Sequence, residues 1–218
     1  MVPYTRGPEY SRNFNQVLSE ADKLISNGSR EITLLGQNVN AYNNQSKRLS
    51  DIIYALEEKK GLLRIRYTTS HPKDMTKDLL DAHKNCKKLM PLLHLPVQSG
   101  SDKILKSMNR KHSIKEYLKI IDILREKNPK IEFASDFIIA YPGEKKNDFD
   151  KTCELMNTVK FINSYSFIFS PRPGTPASDM EIIDEKVARE RLAIFQNMAE
   201  EIKLNYKKKL LNQVVKVL

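Results

Sequence analysis

At 218 residues, 40% of them hydrophobic and 29% charged, the chain has the composition of a globular protein able to bury a core without disulfide or metal staples. Its formal net charge of +10 favours polyanionic partners, nucleic acid first, although lysines that merely solvate helix faces would give the same balance. No apolar run of membrane-spanning length and no secretory leader is read, so the expectation is a cytoplasmic protein without a membrane partner. Two distant cysteines, Cys86 and Cys153, propose neither a disulfide framework nor a metal cluster, and zero Trp with scattered Tyr and Phe do not suggest a base-stacking platform.

In chain order, Met1–Arg12 carries Pro3, Gly7 and Pro8 among Tyr4, Arg6, Glu9 and Arg12, and reads as a functional loop whose preceding strand is missing. Phe14, Val17, Leu18, Ala21, Leu24 and Ile25 define an amphipathic helix closed near Asn27-Gly28. A short strand, Glu31 to Leu35, ends in Gly36-Gln37-Asn38-Val39-Asn40. Leu49, Ile52, Ile53 and Leu56 mark a helix, and Leu63, Ile65 and Tyr67 alternate in a strand that ends in Thr69-Ser70-His71-Pro72. Met75, Leu79 and Ala82 belong to the next helix.

Leu92 to Val97 reads as a buried strand turning polar at Gln98 and Gly100. Ser101 is placed to cap the helix bearing Ile104, Leu105 and Met108. Ser113 and Glu116 form a capping box for a long helix stopped by Pro129. Ile131–Ala140 is a strand, and Tyr141-Pro142-Gly143-Glu144 turns it into a helix with Phe149, Cys153, Met156 and Val159. Tyr165, Phe167 and Phe169 alternate in the last full strand, before Ser170-Pro171-Arg172-Pro173-Gly174-Thr175. A long helix runs from Glu185 to Leu210, and Val214–Leu218 reads as the first strand of something further. Alternating strands and helices give an α/β chain of parallel βα units, and a partial (βα) barrel explains the convergence of polar strand ends better than an open sheet.

Gln98-Ser99-Gly100-Ser101 offers an amide, hydroxyls and backbone N–H groups suited to a carboxylate, ribose or phosphate. Asp136, inside an apolar strand, needs a donor or a ligand; an internal ion pair with Arg64 or Arg66 is the equal alternative. His71 and His94 lack partner ligands at metal spacing, and His94 reads as a hydrogen-bonded core residue. Cys153 reads as core and Cys86 as an exposed bystander. Arg172, rigid between prolines, fits an anion or a structural carboxylate clamp.

Val2-Pro3-Tyr4-Thr5-Arg6-Gly7-x-Glu9-x-Ser11-Arg12, Leu35-Gly36-Gln37-Asn38-Val39-Asn40-x-Tyr42 and Ser70-His71-Pro72 resemble the radical S-adenosylmethionine (SAM) methylthiotransferases. Leu95-Pro96-Val97-Gln98-Ser99-Gly100-Ser101, Met108-Asn109-Arg110, Tyr141-Pro142-Gly143-Glu144 and Ser170 to Ala177 continue the match in the family's order. The opening segment and the Gln-Asn-Val-Asn-x-Tyr segment look most like the branch that makes 2-methylthio-N6-isopentenyladenosine in tRNA. The alternatives are the branch that modifies an aspartate of a ribosomal protein, and a tRNA-binding remnant without catalysis.

The resemblance implies a radical SAM-type partial barrel over residues 1–183, missing its first strand. It also implies a connecting helix over 184–211 and, at 212–218, the start of a truncated C-terminal β (TRAM-like) domain. It implies SAM and [4Fe-4S] clusters as cofactors, tRNA as substrate and an electron donor protein as partner. In the family a Cys-x3-Cys-x2-Cys loop holds the cluster. That loop would end just before Val2, so the ligands are absent from this sequence, no metal or catalytic residue is assigned, and the chain alone is expected to be inactive. Gln98, Ser99, Gly100 and Ser101 are the implied SAM contacts, with Asp136 and Gln37 at the same rim. Arg6, Arg12 and Arg172 are the candidates for RNA contact, with loop-anchoring ion pairs as the alternative. Ala140 stands where the family usually has glycine.

Overall fold

Asn13 starts the first helix, α1 (Phe14–Ser26), because its side-chain oxygen accepts from the amides of Asn15 and Gln16, donors that have no partner inside a helix. The helix stops at Asn27, and Gly28 follows at φ +98°, a left-handed turn that glycine adopts without steric cost. The computed structural model describes residue 7 and residues 10–215. After α1 come β1 (Glu31–Leu34), β2 (Asn43–Asn44), β3 (Lys47–Arg48), α2 (Leu49–Glu57), β4 (Arg64–Tyr67), α3 (Lys77–Asn85) and β5 (Leu92–His94). Then follow α4 (Asp102–Ser107), α5 (Ile114–Lys127), β6 (Glu132–Ile139), α6 (Lys146–Val159), β7 (Asn163–Ile168) and α7 (Glu185–Lys209). Ser113 and Glu116 form the expected reciprocal capping bonds at the start of α5.

The chain folds as two compact units. One gathers the residues up to Leu95 with Asp122–Ile131; the other gathers Pro96–Ile121 with Glu132 onward. Helix α7 groups with β6 and β7 in the second unit. In the first unit β1 and β4 run parallel with Ile32 opposite Ile65, and the segment around Leu89 pairs in parallel on the other side of Ile65. Ile53, Leu56, Leu62, Ile65, Leu79 and Leu93 are buried there. The β2–β3 hairpin was not legible in the sequence. Its turn residues Gln45 and Ser46 both have positive φ, as a two-residue hairpin turn requires, without the usual Asn-Gly signal.

In the second unit β6 and β7 run parallel, with Asp136 opposite Tyr165 and Ile138 opposite Phe167. One face of β6 carries Phe137, whose ring lies 5.4 Å from that of Phe161 and 4.7 Å from that of Phe195 on α7. All three are fully buried, and an aromatic side chain taken from water contributes roughly 2–3 kcal/mol. Of the strand expected from Val214, only Val214 and Val215 are among the described residues. They are exposed and in no strand.

Candidate functional site

Strand β6 organises the second unit's site. Gln98 lies beside it in left-handed backbone (φ +77°), donating its amide to the Asp136 carbonyl at 2.9 Å and accepting the Ile138 amide at 3.0 Å. The three residues after Gln98 turn away from solvent. The Gly100 amide donates to Thr152 Oγ1 at 3.0 Å, Ser99 Oγ lies 3.4 Å from the same atom, and Ser101 Oγ donates to Asp148 Oδ1 at 2.7 Å. A Cβ at position 100 would stand 2.3 Å from the Lys151 carbonyl oxygen, so glycine lets the α6 backbone approach here. Ser101 is at the N-cap position of α4, but its hydroxyl serves Asp148 and gives the helix no side-chain cap. Ser99, Gly100 and Ser101 thus seat α6, and Gln98 is the member of the motif next to the site strand.

In the first unit Arg66 Nε lies 2.9 Å from Glu31, and Arg64 pairs with the same carboxylate at 3.8 Å. In the second unit burial lowers the pKa of the Arg110 guanidinium, and the negative charge of Asp136 opposes that shift. Arg110 was visible only as part of the Met108-Asn109-Arg110 motif.

At the end of β6, Ala140 holds φ +57°, a left-handed conformation that costs an alanine about 1 kcal/mol. Its amide donates to Glu144 Oε1 at 3.2 Å, and the same oxygen accepts from Arg191 of α7 at 2.8 Å. Arg191 also donates to the Glu144 carbonyl and lies 5.7 Å from the centre of the Phe149 ring. Burial raises the Glu144 pKa, and the Arg191 bond and charge oppose it. This clamp fixes the turn that ends the site strand. Nothing in the local sequence around Arg191 signals it.

In the first unit the strand-end loops are stitched together by Asn40, whose side chain donates to the His71 carbonyl at 2.9 Å and accepts its amide at 2.8 Å. His71 Nδ1 accepts from the Lys73 amide, a capping role. Exposed Gln37 and Arg12 line one cavity of about 550 Å³ with Leu24, Ile32 and Tyr42. Arg12 pairs with Glu20 at 2.6 Å, but both side chains are more than half exposed, so the pair contributes little. Arg172 is exposed beyond the end of β7. Arg6 lies outside the described residues.

Cys86 is buried rather than exposed, and Cys153 is half-buried. Burial pushes both thiols up to about 11. One lies in each unit, and among the described residues no three Cys, His, Asp or Glu side chains converge as metal ligands. These residues do not fit a [4Fe-4S] cluster, which takes thiolates.

The Radical SAM superfamily profile matches residues 1–156. The chain is 56% identical over 222 residues to a protein of Pelagibacter ubique (strain HTCC1062) named tRNA-2-methylthio-N(6)-dimethylallyladenosine synthase, matching all of this chain and 50% of that one. A protein of the same name from Wolbachia pipientis subsp. Culex pipiens (strain wPip) is 48% identical over 223 residues, again all of this chain and 51% of that one. The chain thus spans about half the length of these relatives. Among solved structures, coproporphyrinogen III oxidase (HemN) from Escherichia coli, a radical SAM enzyme, aligns with TM-score 0.62 at 15% identity over 87% of this chain and 46% of that one. The radical SAM methyltransferase TsrM from Kitasatospora setae, with cobalamin and a [4Fe-4S] cluster bound, aligns with TM-score 0.61 at 11% identity over 77% of this chain and 33% of that one. At such identities these two matches speak for the fold.

Proposed function

This chain belongs to the radical SAM superfamily, and from that premise we propose that the protein is a methylthiotransferase acting on carbon 2 of N6-isopentenyladenosine in tRNA. The observation that carries the reading is identity of 48–56%, across the whole chain, to proteins named for that product. The net charge of +10 suits a tRNA substrate. An electron donor protein as partner and the cytoplasm as compartment belong to the same proposal. No described helix is long and apolar enough to cross a membrane.

In such an enzyme SAM supplies both the adenosyl group that abstracts hydrogen and the methyl group that is transferred. The residues here that fit its polar edges are Gln98 and Asp136, an amide and a carboxylate beside one strand, with Arg110 as counter-charge. Ser99, Gly100 and Ser101 act on Gln98 indirectly, by locking the chain after it against α6. The Glu144–Arg191 clamp holds the end of the same strand. The test is liquid chromatography–mass spectrometry of tRNA nucleosides from source cells with and without the gene. Loss of the 2-methylthio nucleoside with accumulation of N6-isopentenyladenosine is the expected result; an unchanged nucleoside profile overturns the reading.

A further inference from the structure

The strand pair β6–β7 carries a feature that composition did not foretell. Tyr165 and Phe167 are 51% and 61% exposed, two residues apart on one strand, and so project from the same face. Their cross-strand partners on that face are Asp136 and Ile138. Two exposed aromatic rings side by side on one strand make an apolar patch that a flat ligand can cover. The strand repeat sets the two side chains roughly 7 Å apart, about twice the 3.4 Å rise between stacked bases, which is the room one planar base needs between two rings.

The polar surroundings favour a nucleotide over an apolar peptide. Asp136, opposite Tyr165, is the carboxylate assigned above to SAM, so a base on this face lies beside the cofactor, and Arg110 feels the same negative charge. Beyond the end of β7 the chain runs into Ser170-Pro171-Arg172-Pro173, with Arg172 exposed, a donor suited to a phosphate. We propose that the Tyr165–Phe167 face, with Asp136 at its edge, is a stacking platform for an unpaired purine of an RNA loop. This rests on the tRNA reading above and assigns residues that would receive the target base.

The probe is a short RNA hairpin with one loop purine replaced by 2-aminopurine, whose fluorescence falls when it stacks. The protein should quench it on binding. Tyr165→Ala and Phe167→Ala should each weaken binding about 5- to 100-fold, the range for loss of one base–aromatic stack. Tyr165→Phe and Phe167→Tyr, which keep a ring, should bind as the parent does, and circular dichroism should show all four variants folded. Parent-like affinity and quenching in the alanine variants overturns the proposal, as does hairpin binding that leaves 2-aminopurine unquenched. If the alanine variants lose S-adenosylhomocysteine and keep the hairpin, the face serves an adenine of the cofactor, and the RNA assignment is overturned. None of these failures touches the tRNA reading itself, which the nucleoside profile of the source cells decides separately.

Discussion

Arg191→Met tests the clamp at the end of β6. The Glu144 side chain is fully buried, Arg191 is 14% exposed, and Glu144 Oε2 has no hydrogen-bond partner among the described residues, so Arg191 carries most of the compensation for a buried carboxylate. Removing one partner of a buried ion pair costs about 3–5 kcal/mol. The Ala140 amide still donates to Glu144 in the variant, which places the expected loss near the low end, about 3 kcal/mol at neutral pH. Burial already raises the Glu144 pKa above its ordinary 4.5, against the effect of Arg191. The folded state therefore holds that proton more tightly than the unfolded chain. Its stabilising effect is full below pH 4.5 and is lost as pH rises through the folded pKa. Without Arg191 the folded pKa climbs further, so the deficit of the variant should be largest near neutrality and shrink toward pH 4.5. Urea unfolding of parent and variant across that range reads this directly, and a Glu144→Gln, Arg191→Met pair should lose the pH dependence. A deficit below about 1 kcal/mol, or one that does not change with pH, would refute the reasoning.

Ala140→Gly should raise stability by about 1 kcal/mol, because it removes the left-handed strain at φ +57°; a lower urea midpoint would contradict this. Gly100→Ala should lose about 3 kcal/mol or fail to fold, since its Cβ would meet the backbone of α6 at 2.3–2.7 Å; a parent-like midpoint would show that the close approach is wrong. His83 is buried beside Tyr67 at 2.6 Å, with its pKa lowered by burial to about 4 from 6.5. Its neutral form stabilises the fold fully above pH 6.5, and about 3 kcal/mol is lost as pH falls toward 4. His83→Gln should flatten that acid-side slope in urea midpoints, and an unchanged slope would assign it to other groups.

The βα order was legible because each strand and helix carries its own period, and because Asn13, Gly28 and the Ser113–Glu116 box punctuate the chain locally. What escaped was set by partners distant in sequence. The Gln98–Ser101 run reads as a ligand cradle, and nothing in it foretells that Thr152 and Asp148 of α6 accept from the Gly100 amide and the Ser101 hydroxyl. Asp136 could be seen to need a donor or a ligand, and Arg64 or Arg66 could be named for it, but the charge of Asp136 felt by Arg110 was not foreseen because Arg110 lies 26 residues away in the chain. Cys86 sits among lysines and asparagine and reads as exposed, yet it closes α3 with its side chain buried. The alternation of Tyr165 and Phe167 was plain; which face it would show to solvent depends on α7 covering the other side of the sheet through Phe195 and Arg191.

Ultraviolet crosslinking of the protein to tRNA, followed by mass spectrometry of the peptide–nucleotide adducts, tests the functional account most directly. Adducts on Tyr165 or Phe167 and on the peptide containing Arg172, from an unpaired loop purine, are the predicted result. Adducts confined to the lysine-rich end of α7, Lys207–Lys209, with none on β7, would mean that charge alone attracts the RNA and would contradict it.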